Sequence, residues 1–146
     1  MRLDLYLAET RQLAAHQSTI LDQAADRLRN EATLSELEQN GVLHALQVLT
    51  ENAIGKAKHT LKALGQPVPV SAYDAFATLA RHRQINTSDL DAWNAAIGLR
   101  NRIVHDDINP IVQDCLNLDM TIVLDLVRQQ QYHFIRDYLM APPDLC

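Results

Sequence analysis

The sequence predicts an all-α fold, a bundle of about five helices that forms a single domain over residues 1–146. Three observations support this prediction. Apolar residues recur at helical spacing through most of the chain, no segment alternates apolar and polar residues as a strand does, and the 146 residues include only four Gly and five Pro. An apolar fraction of 47% is sufficient for one core in a chain of this length.

The first two predicted helices are long. Apolar residues keep helical spacing over residues 3–28, and no Gly or Pro occurs before Gly41. Two candidate capping boxes precede the second helix, one at residues 33–36 and one at residues 35–38. This helix is predicted to end at Gly65, because glycine is the residue type that most often follows the last turn of a helix.

The third and fourth predicted helices are shorter. Ser71 is predicted to cap a short third helix, and residues 87–89 are predicted to cap a fourth helix that runs to His105. Asn109 and Pro110 then supply the cap and the first position of a fifth helix.

The fifth helix is predicted to continue through Phe134. Apolar residues at helical spacing support this length, with a break near residues 117–119 as an alternative. Residues 141–143, which include two prolines, are predicted to end it. No internal repeat and no low-complexity segment interrupts this pattern.

Composition excludes several classes of protein. The two cysteines, Cys115 and Cys146, have neither metal-ligand spacing nor a disulfide framework, so we expect a reduced, cytoplasmic setting. No apolar run approaches the roughly 18 residues of a membrane span, and the first residues do not resemble a signal peptide. The sequence also lacks a Gly-rich phosphate loop, a nucleophile elbow and a Cys/His cluster, so we expect neither a cofactor nor a metal.

Charge is distributed unevenly along the chain. The formal net charge is −5, but residues 52–102 hold seven basic and three acidic side chains, which gives +4. Residues 1–51 carry −4 and residues 103–146 carry −5. A basic middle segment is compatible with a polyanionic partner, although a solvated helix face is the simpler interpretation of its three lysines.

The run from Gly98 to Asp107, Gly-Leu-Arg-Asn-Arg-Ile-Val-His-Asp-Asp, is the candidate functional site. With about 100° of rotation per residue, Arg100 falls on the apolar face of the fourth helix, whereas Arg102 points to the far side. A guanidinium on an apolar face is costly unless it meets a carboxylate, a phosphate or a subunit boundary. His105 lies near the predicted end of the helix.

An Arg followed five residues later by a His is weak evidence by itself. Arg11 with His16, and Arg128 with His133, have the same spacing. Only the pair in the fourth helix combines an Arg on an apolar face with a His at a predicted helix end. The His residues outside that pair are interpreted as surface or packed residues.

The run from Gly98 to Asp106 resembles the signature of HEPN-domain proteins, specifically the HepT-like toxins. That signature is an Arg, a polar residue that is usually Asn, three further residues and a His. Residues 71–80, Ser-Ala-Tyr-Asp-Ala-Phe-Ala-Thr-Leu-Ala, also resemble the third helix of this family. The predicted helix lengths fit the family along nearly the whole chain.

The resemblance implies a metal-independent endoribonuclease toxin that acts as a homodimer, with a composite cleft where the motifs of two subunits meet. It implies RNA as the substrate, with tRNA as a candidate, and a cognate nucleotidyltransferase of the MNT type as the antitoxin. In better-studied members the antitoxin adenylylates a Tyr two residues after the His. That position is Asp107 in this sequence, which leaves the mode of inhibition open.

The implied chemistry fits the residues present. RNA can be cleaved by its own 2′-hydroxyl, with the imidazole of His105 as general base or acid. Arg100 would stabilise charge on the phosphoryl oxygens. Asn101 would orient the imidazole or a phosphate, and Arg102 would bind RNA.

The expected dimer would supply two copies of the motif. The fourth helix is apolar over an arc that is too wide for one seam of a bundle, so this helix is predicted to face the second copy. The residues expected near the interface are Trp93, Ile97, Arg100 and Val104.

The sequence leaves two alternatives open. The first is a non-catalytic helical partner or substrate-binding subunit of a minimal nucleotidyltransferase, which Asp107 favours. The second is a structural helical dimer in which Arg100 pairs with a carboxylate such as Asp89 or Asp119. This second alternative gives His105 no role.

Overall fold

The protein is all-helical over the residues described by the structure, a computed structural model that covers residues 3–106 and 119–143 and, for residues 105 and 106, the backbone alone. These ranges contain six α-helices and a short 3₁₀ segment, and they contain no strand. The elements are α1 (Leu3–Arg29), α2 (Glu36–Ala63), α3 (Ala72–Arg81), the 3₁₀ segment (Thr87–Asp89), α4 (Leu90–Asp106), α5 (Met120–Arg128) and α6 (His133–Met140). The predicted all-α class is confirmed.

Side-chain caps begin α2 and α3 at predicted positions. The Ser35 hydroxyl accepts a hydrogen bond from the Glu38 amide at 3.1 Å, and the Glu38 carboxylate accepts one from the Ser35 amide at 2.9 Å. This is the second of the two candidate boxes. The Ser71 hydroxyl caps α3 by accepting from the Asp74 amide at 3.4 Å. These bonds satisfy amides that have no partner inside their helix.

The predicted fifth helix is wrong in its second half, because α5 ends at Arg128 and a separate helix, α6, begins at His133. Gln130 between them has a φ of 55°, in the left-handed region, where an α-helix cannot continue. Hydrogen bonds hold its side chain on both sides. The amide oxygen accepts from Arg29 at 2.8 Å, and the amide nitrogen donates to Asp22 at 3.3 Å.

The local sequence gives no signal for this turn. The four residues between α5 and α6 are Gln-Gln-Gln-Tyr, which include neither Gly nor Pro. The predicted helix start at residues 109–110 lies outside the described residues. Asp119 is the first described residue after this gap, and its carboxylate caps α5 by accepting a hydrogen bond from the Thr121 amide at 3.0 Å.

α1 and α2 lie side by side and form the centre of the bundle. α5 and α6 pack against α1, while α3 and α4 pack against α2. The core between them is made of aliphatic and aromatic side chains, among them Leu21, Leu49, Leu61, Phe76 and Val127. Over the described residues, no helix is long and apolar enough to cross a membrane.

Trp93 of α4 lies at the centre of an aromatic cluster. Its ring stacks on Phe76 of α3, with centroids 4.4 Å apart, and meets Phe134 and Tyr138 of α6 edge to face. Within one chain, Trp93 is 2% exposed and Ile97 is 1% exposed. Other helices of the same chain cover these two residues, so their side chains offer almost no surface to a second copy. That they lie near a dimer interface stays a prediction.

Lys56 of α2 is buried in the core, with 1% of its surface exposed. Its ammonium group donates hydrogen bonds to the backbone carbonyls of Tyr138 and Ala141 at the end of α6, and it lies 4.4 Å from the centroid of the Tyr138 ring. Burial lowers the pKa of Lys56 to about 8, and the charge of Arg11 adds to this effect. The interpretation of this lysine as part of a solvated face is wrong.

Candidate functional site

The candidate site lies on the C-terminal half of α4. Asn101 is half-buried and Arg102 is exposed. His105 occupies the last turn of the helix, which ends at Asp106. The side chain of His105 and the whole of Asp107 lie outside what the structure describes.

Arg100 is half-buried, and its Nε is buried without a hydrogen-bond partner among the described residues. A buried donor without an acceptor costs about 1–3 kcal/mol. Within these residues neither Asp89 nor Asp119 forms an ion pair with Arg100, and the Asp119 carboxylate instead caps α5. One N–H donor of the guanidinium therefore has no acceptor among the described residues.

Arg100 and Arg102 border the same cavity, which has a volume of about 620 Å³. Arg102 is exposed, as predicted for the far side of the helix, and it still borders the cavity. Leu99 lies between the two arginines around the helix axis, and the cavity extends along its side of α4. The remaining wall is formed by α2, α5 and α6 and is mainly apolar, with contributions from Leu46, Ile122, Leu126 and Ile135.

α3 approaches α4 at Gly98. The phenol oxygen of Tyr73 lies 3.6 Å from the position that a Cβ atom on Gly98 would occupy. Tyr73 is 41% exposed, whereas Phe76 and Leu79 in the same run are fully buried. The sequence identified this run as a helix, but it gave no signal that the tyrosine remains at the surface beside α4.

The other two Arg–His pairs have different surroundings. Arg128 and His133 flank the turn between α5 and α6, and Nε2 of His133 lies 3.1 Å from the Asp22 carboxylate. Arg11 and His16 both lie within α1, where His16 is exposed. His133 is thus engaged by another part of the chain, and neither pair borders the α4 cavity. Across the described ranges, no group of three or more His, Cys, Asp or Glu side chains is arranged to hold a metal ion.

A family model described as Ribonuclease HepT-like matches residues 11–141, which is most of the chain and includes the whole of α4. The chain belongs to the HepT-like ribonuclease family. The resemblance drawn from the motif on α4 is confirmed by this match. No curated protein matches this HepT-like chain.

A solved structure similar to this HepT-like protein is a crystal structure of a toxin–antitoxin with AMP-PNP. The TM-score is 0.72 at 21% sequence identity, and the match covers 95% of this chain and 99% of the other. At this identity the likeness shows that the two chains share a fold.

Proposed function

We propose that this HepT-like protein is a metal-independent endoribonuclease, the toxin of a HEPN/MNT toxin–antitoxin pair. It cleaves RNA through Arg100 and His105 in a cleft between two copies of the chain. The observation that carries this proposal is the buried Nε of Arg100, which lies at the edge of the α4 cavity and has no hydrogen-bond partner among the described residues. Family membership supports the nuclease class. The toxin–antitoxin nature of a protein with the same fold supports an antitoxin partner.

Arg100 supplies the permanent positive charge in this mechanism. When the 2′-hydroxyl attacks the adjacent phosphorus, negative charge increases on the non-bridging oxygens. The bond from phosphorus to the 5′-oxygen then breaks, which leaves a 2′,3′-cyclic phosphate and a 5′-hydroxyl. The apolar cavity wall beside the guanidinium lowers the local dielectric constant, and this strengthens its attraction to the phosphate.

His105 performs the proton transfers. One imidazole accepts the proton of the 2′-hydroxyl, and the His105 of the second copy donates a proton to the departing 5′-oxygen. Asn101 lies one turn before His105 and orients the imidazole or a phosphate. Arg102, exposed on the other side of the cavity, binds a flanking phosphate.

The wild-type protein expressed alone is expected to arrest growth, and the purified protein is expected to cleave RNA. Arg100→Ala removes charge stabilisation and His105→Ala removes proton transfer, so each should lower the cleavage rate at least about 100-fold. Arg102→Ala should weaken RNA binding more than it slows the cleavage of bound RNA. Single-turnover cleavage of labelled RNA, with and without EDTA, measures these effects, and circular dichroism verifies folding.

Two histidines provide matched controls. His16 is exposed and follows an Arg at the same spacing, so His16→Ala should leave the cleavage rate unchanged. His133→Ala loses the contact with Asp22, so it should lower stability without changing the rate. Cleavage that stops in EDTA, or that persists in His105→Ala, contradicts the assignment to this site.

The antitoxin is expected to restrain the toxin by direct contact. An adenylyl group on the carboxylate of Asp107 would form a mixed anhydride, which water hydrolyses, whereas a tyrosyl phosphodiester is stable. Intact-mass spectrometry of the protein co-expressed with the nucleotidyltransferase encoded beside it should show no lasting gain of adenylyl units. A gain that maps to residues 105–107 contradicts this expectation, and a gain on a tyrosine shows that the acceptor has moved.

Asp107 favours a second candidate function, that of a non-catalytic partner or substrate-binding subunit of a minimal nucleotidyltransferase. In that case the protein binds the nucleotidyltransferase but does not cleave RNA. Arg100→Ala would then leave both growth and complex formation unchanged. The cleavage assay separates the two functions.

A further inference from the structure

Tyr73 is the most exposed of the four tyrosines. Tyr132 and Tyr138 pack into the core, where burial raises the pKa of both phenols. Tyr6 is half-buried and packs against the ring of His59, with centroids 4.1 Å apart. Core packing therefore accounts for the other three rings but leaves 41% of Tyr73 exposed to solvent.

Tyr73 lies against the polar side of α4, next to Gly98. Arg102 and position 105 of the candidate site lie further along the same side of this helix. The phenol oxygen lies 3.6 Å from where a Cβ atom on Gly98 would be, which is ordinary van der Waals contact, so Tyr73 lies directly beside this position of α4. Arg102 follows Gly98 by four residues and position 105 follows it by seven. With about 100° per residue, these positions lie within roughly 40° and 20° of Gly98 around the helix axis.

A basic side chain of α2 contacts the segment that leads into α3. Nζ of Lys58 donates to the backbone carbonyl of Val70 at 2.9 Å, in the segment that leads into α3. Lys62 is one turn further along α2 and is exposed. Asp74 is the nearest carboxylate in sequence, but it lies about 100° around α3 from Tyr73. A strand of RNA that crosses this surface thus meets an exposed ring, with a lysine of α2 near the start of α3 and an arginine one turn beyond Gly98 on α4.

We propose that Tyr73 stacks on an unpaired base of the RNA substrate and so positions the strand along α4. Arg102 and Lys62 bind phosphates of the same strand. This inference rests on the proposed nuclease function and makes its substrate more specific. The substrate is single-stranded RNA or an RNA loop, because the bases of a duplex are already stacked on their neighbours and are not free to stack on a protein ring.

The test uses the full-length His105→Ala protein, which binds RNA without cutting it. Fluorescence anisotropy with a short, labelled single-stranded RNA gives the affinity. Tyr73→Ala should weaken binding roughly 5- to 100-fold, and Tyr73→Phe, which keeps the ring, should bind like the parent. A 2-aminopurine base in the RNA should be quenched on binding to the parent and to Tyr73→Phe, but much less on binding to Tyr73→Ala.

Two further variants separate stacking from other effects. Val70→Ala removes another highly exposed apolar side chain from the same region, so its affinity should be unchanged. Lys62→Ala should reduce the slope of log affinity against log salt by about 0.7, the value for one phosphate contact on a single strand. Tyr73→Ala should leave that slope unchanged, since a stacked ring releases no counterion.

The outcomes distinguish this inference from the function on which it rests. If the wild type cleaves RNA and Tyr73→Ala binds RNA as tightly as the parent, the stacking role is wrong and the nuclease function stands. If the wild type neither binds nor cleaves RNA, both the nuclease function and the stacking role of Tyr73 are wrong. If Tyr73→Ala loses antitoxin binding but retains RNA binding, the ring belongs to a protein contact and this inference is overturned.

Discussion

Asp22 connects α1 to the turn between α5 and α6. Its carboxylate accepts hydrogen bonds from Tyr132, His133 and Gln130, each more than a hundred residues away in sequence. Burial by itself raises the pKa of Asp22, but the hydrogen bonds from Tyr132 and His133 outweigh that effect and hold the pKa below its usual value. One side chain on α1 thus holds the turn that leads into α6.

Asp22→Asn is expected to lower the free energy of unfolding by about 1 kcal/mol at neutral pH, because an amide is a weaker acceptor than a carboxylate. A carboxyl whose pKa is lowered on folding adds stability above its unfolded pKa, and this stability is lost as pH falls through the folded value. Below about pH 4 the free energy of unfolding of the wild type should therefore no longer exceed that of Asp22→Asn. Urea unfolding at neutral and acid pH measures both effects. Asp26→Asn, an exposed acid one turn further along α1, is the control.

Lys56→Ala is expected to destabilise the protein by about 2–4 kcal/mol, because it leaves a cavity and two carbonyl groups without their donor. Lys56→Met fills most of the space and removes the cost of burying a charge, so its loss should be smaller. Since the pKa of Lys56 is about 8 in the folded protein, the wild type should gain stability relative to Lys56→Met as pH rises above that value. Thermal unfolding at neutral and alkaline pH tests the order of the three proteins. Equal stability of both variants would contradict this account.

Arg100 was detectable from sequence because its position on an apolar helix face conflicts with its charge, and that conflict depends only on residues nearby in the chain. Lys56 and Tyr73 were not detectable in this way. The acceptors of Lys56 lie 82 and 85 residues further along the chain. Tyr73 lies beside Gly98 of another helix, and no rule of sequence spacing predicts a contact between these two residues.

Four of the helices end in the same backbone arrangement. After α1, α2, α3 and α5, one residue with positive φ is followed by a residue whose amide donates to the carbonyl five residues earlier. The residues with positive φ are Glu31, Gly65, Arg83 and Gln130. Only Gly65 was predicted as a helix end, because glycine adopts this conformation at no steric cost and the other three residue types give no such signal.

Glu31→Gly is expected to stabilise the protein by about 0.5–1 kcal/mol, since Glu31 is exposed and its φ of 61° is unfavourable for a side chain with a Cβ atom. Gln130→Gly relieves the same conformation but removes the side-chain bonds to Arg29 and Asp22, so it should give no gain. Differential scanning calorimetry on the two variants compares them directly. A higher melting temperature for Gln130→Gly than for Glu31→Gly would show that the tertiary hydrogen bonds contribute little.

At the scale of the whole molecule, the α4 cavity is the surface on which two copies are expected to meet. Trp93 and Ile97 are covered within one chain, so the expected interface would use apolar residues that remain at the surface. Ile122 of α5 borders the cavity and is 66% exposed. It lies at the same cavity as Arg100 and Arg102, so a second copy placed there would bring two motifs together.

Light scattering should show a homodimer at micromolar concentration, and Ile122→Glu should shift it to a monomer, because a carboxylate at the interface would lose its hydration. The same variant should lose RNA cleavage, since each motif would lack its second copy. Leu37→Glu is the control, because Leu37 is even more exposed but lies at the start of α2 and does not border the cavity. A monomeric wild type that still cleaves RNA would contradict the composite cleft.

During synthesis, α1 is complete long before the helices that cover it. Arg29 donates to the carbonyl of Arg128, 99 residues later, and Asp22 accepts from Tyr132, 110 residues later. Synthesis proceeds at about 5–20 residues per second, so one side of α1 remains uncovered for roughly 5–20 s until these partners have been made. Two walls of the α4 cavity, α5 and α6, do not exist during that time. The growing chain therefore passes this interval without a finished cavity, and any ligand of the α4 cavity can bind only afterwards.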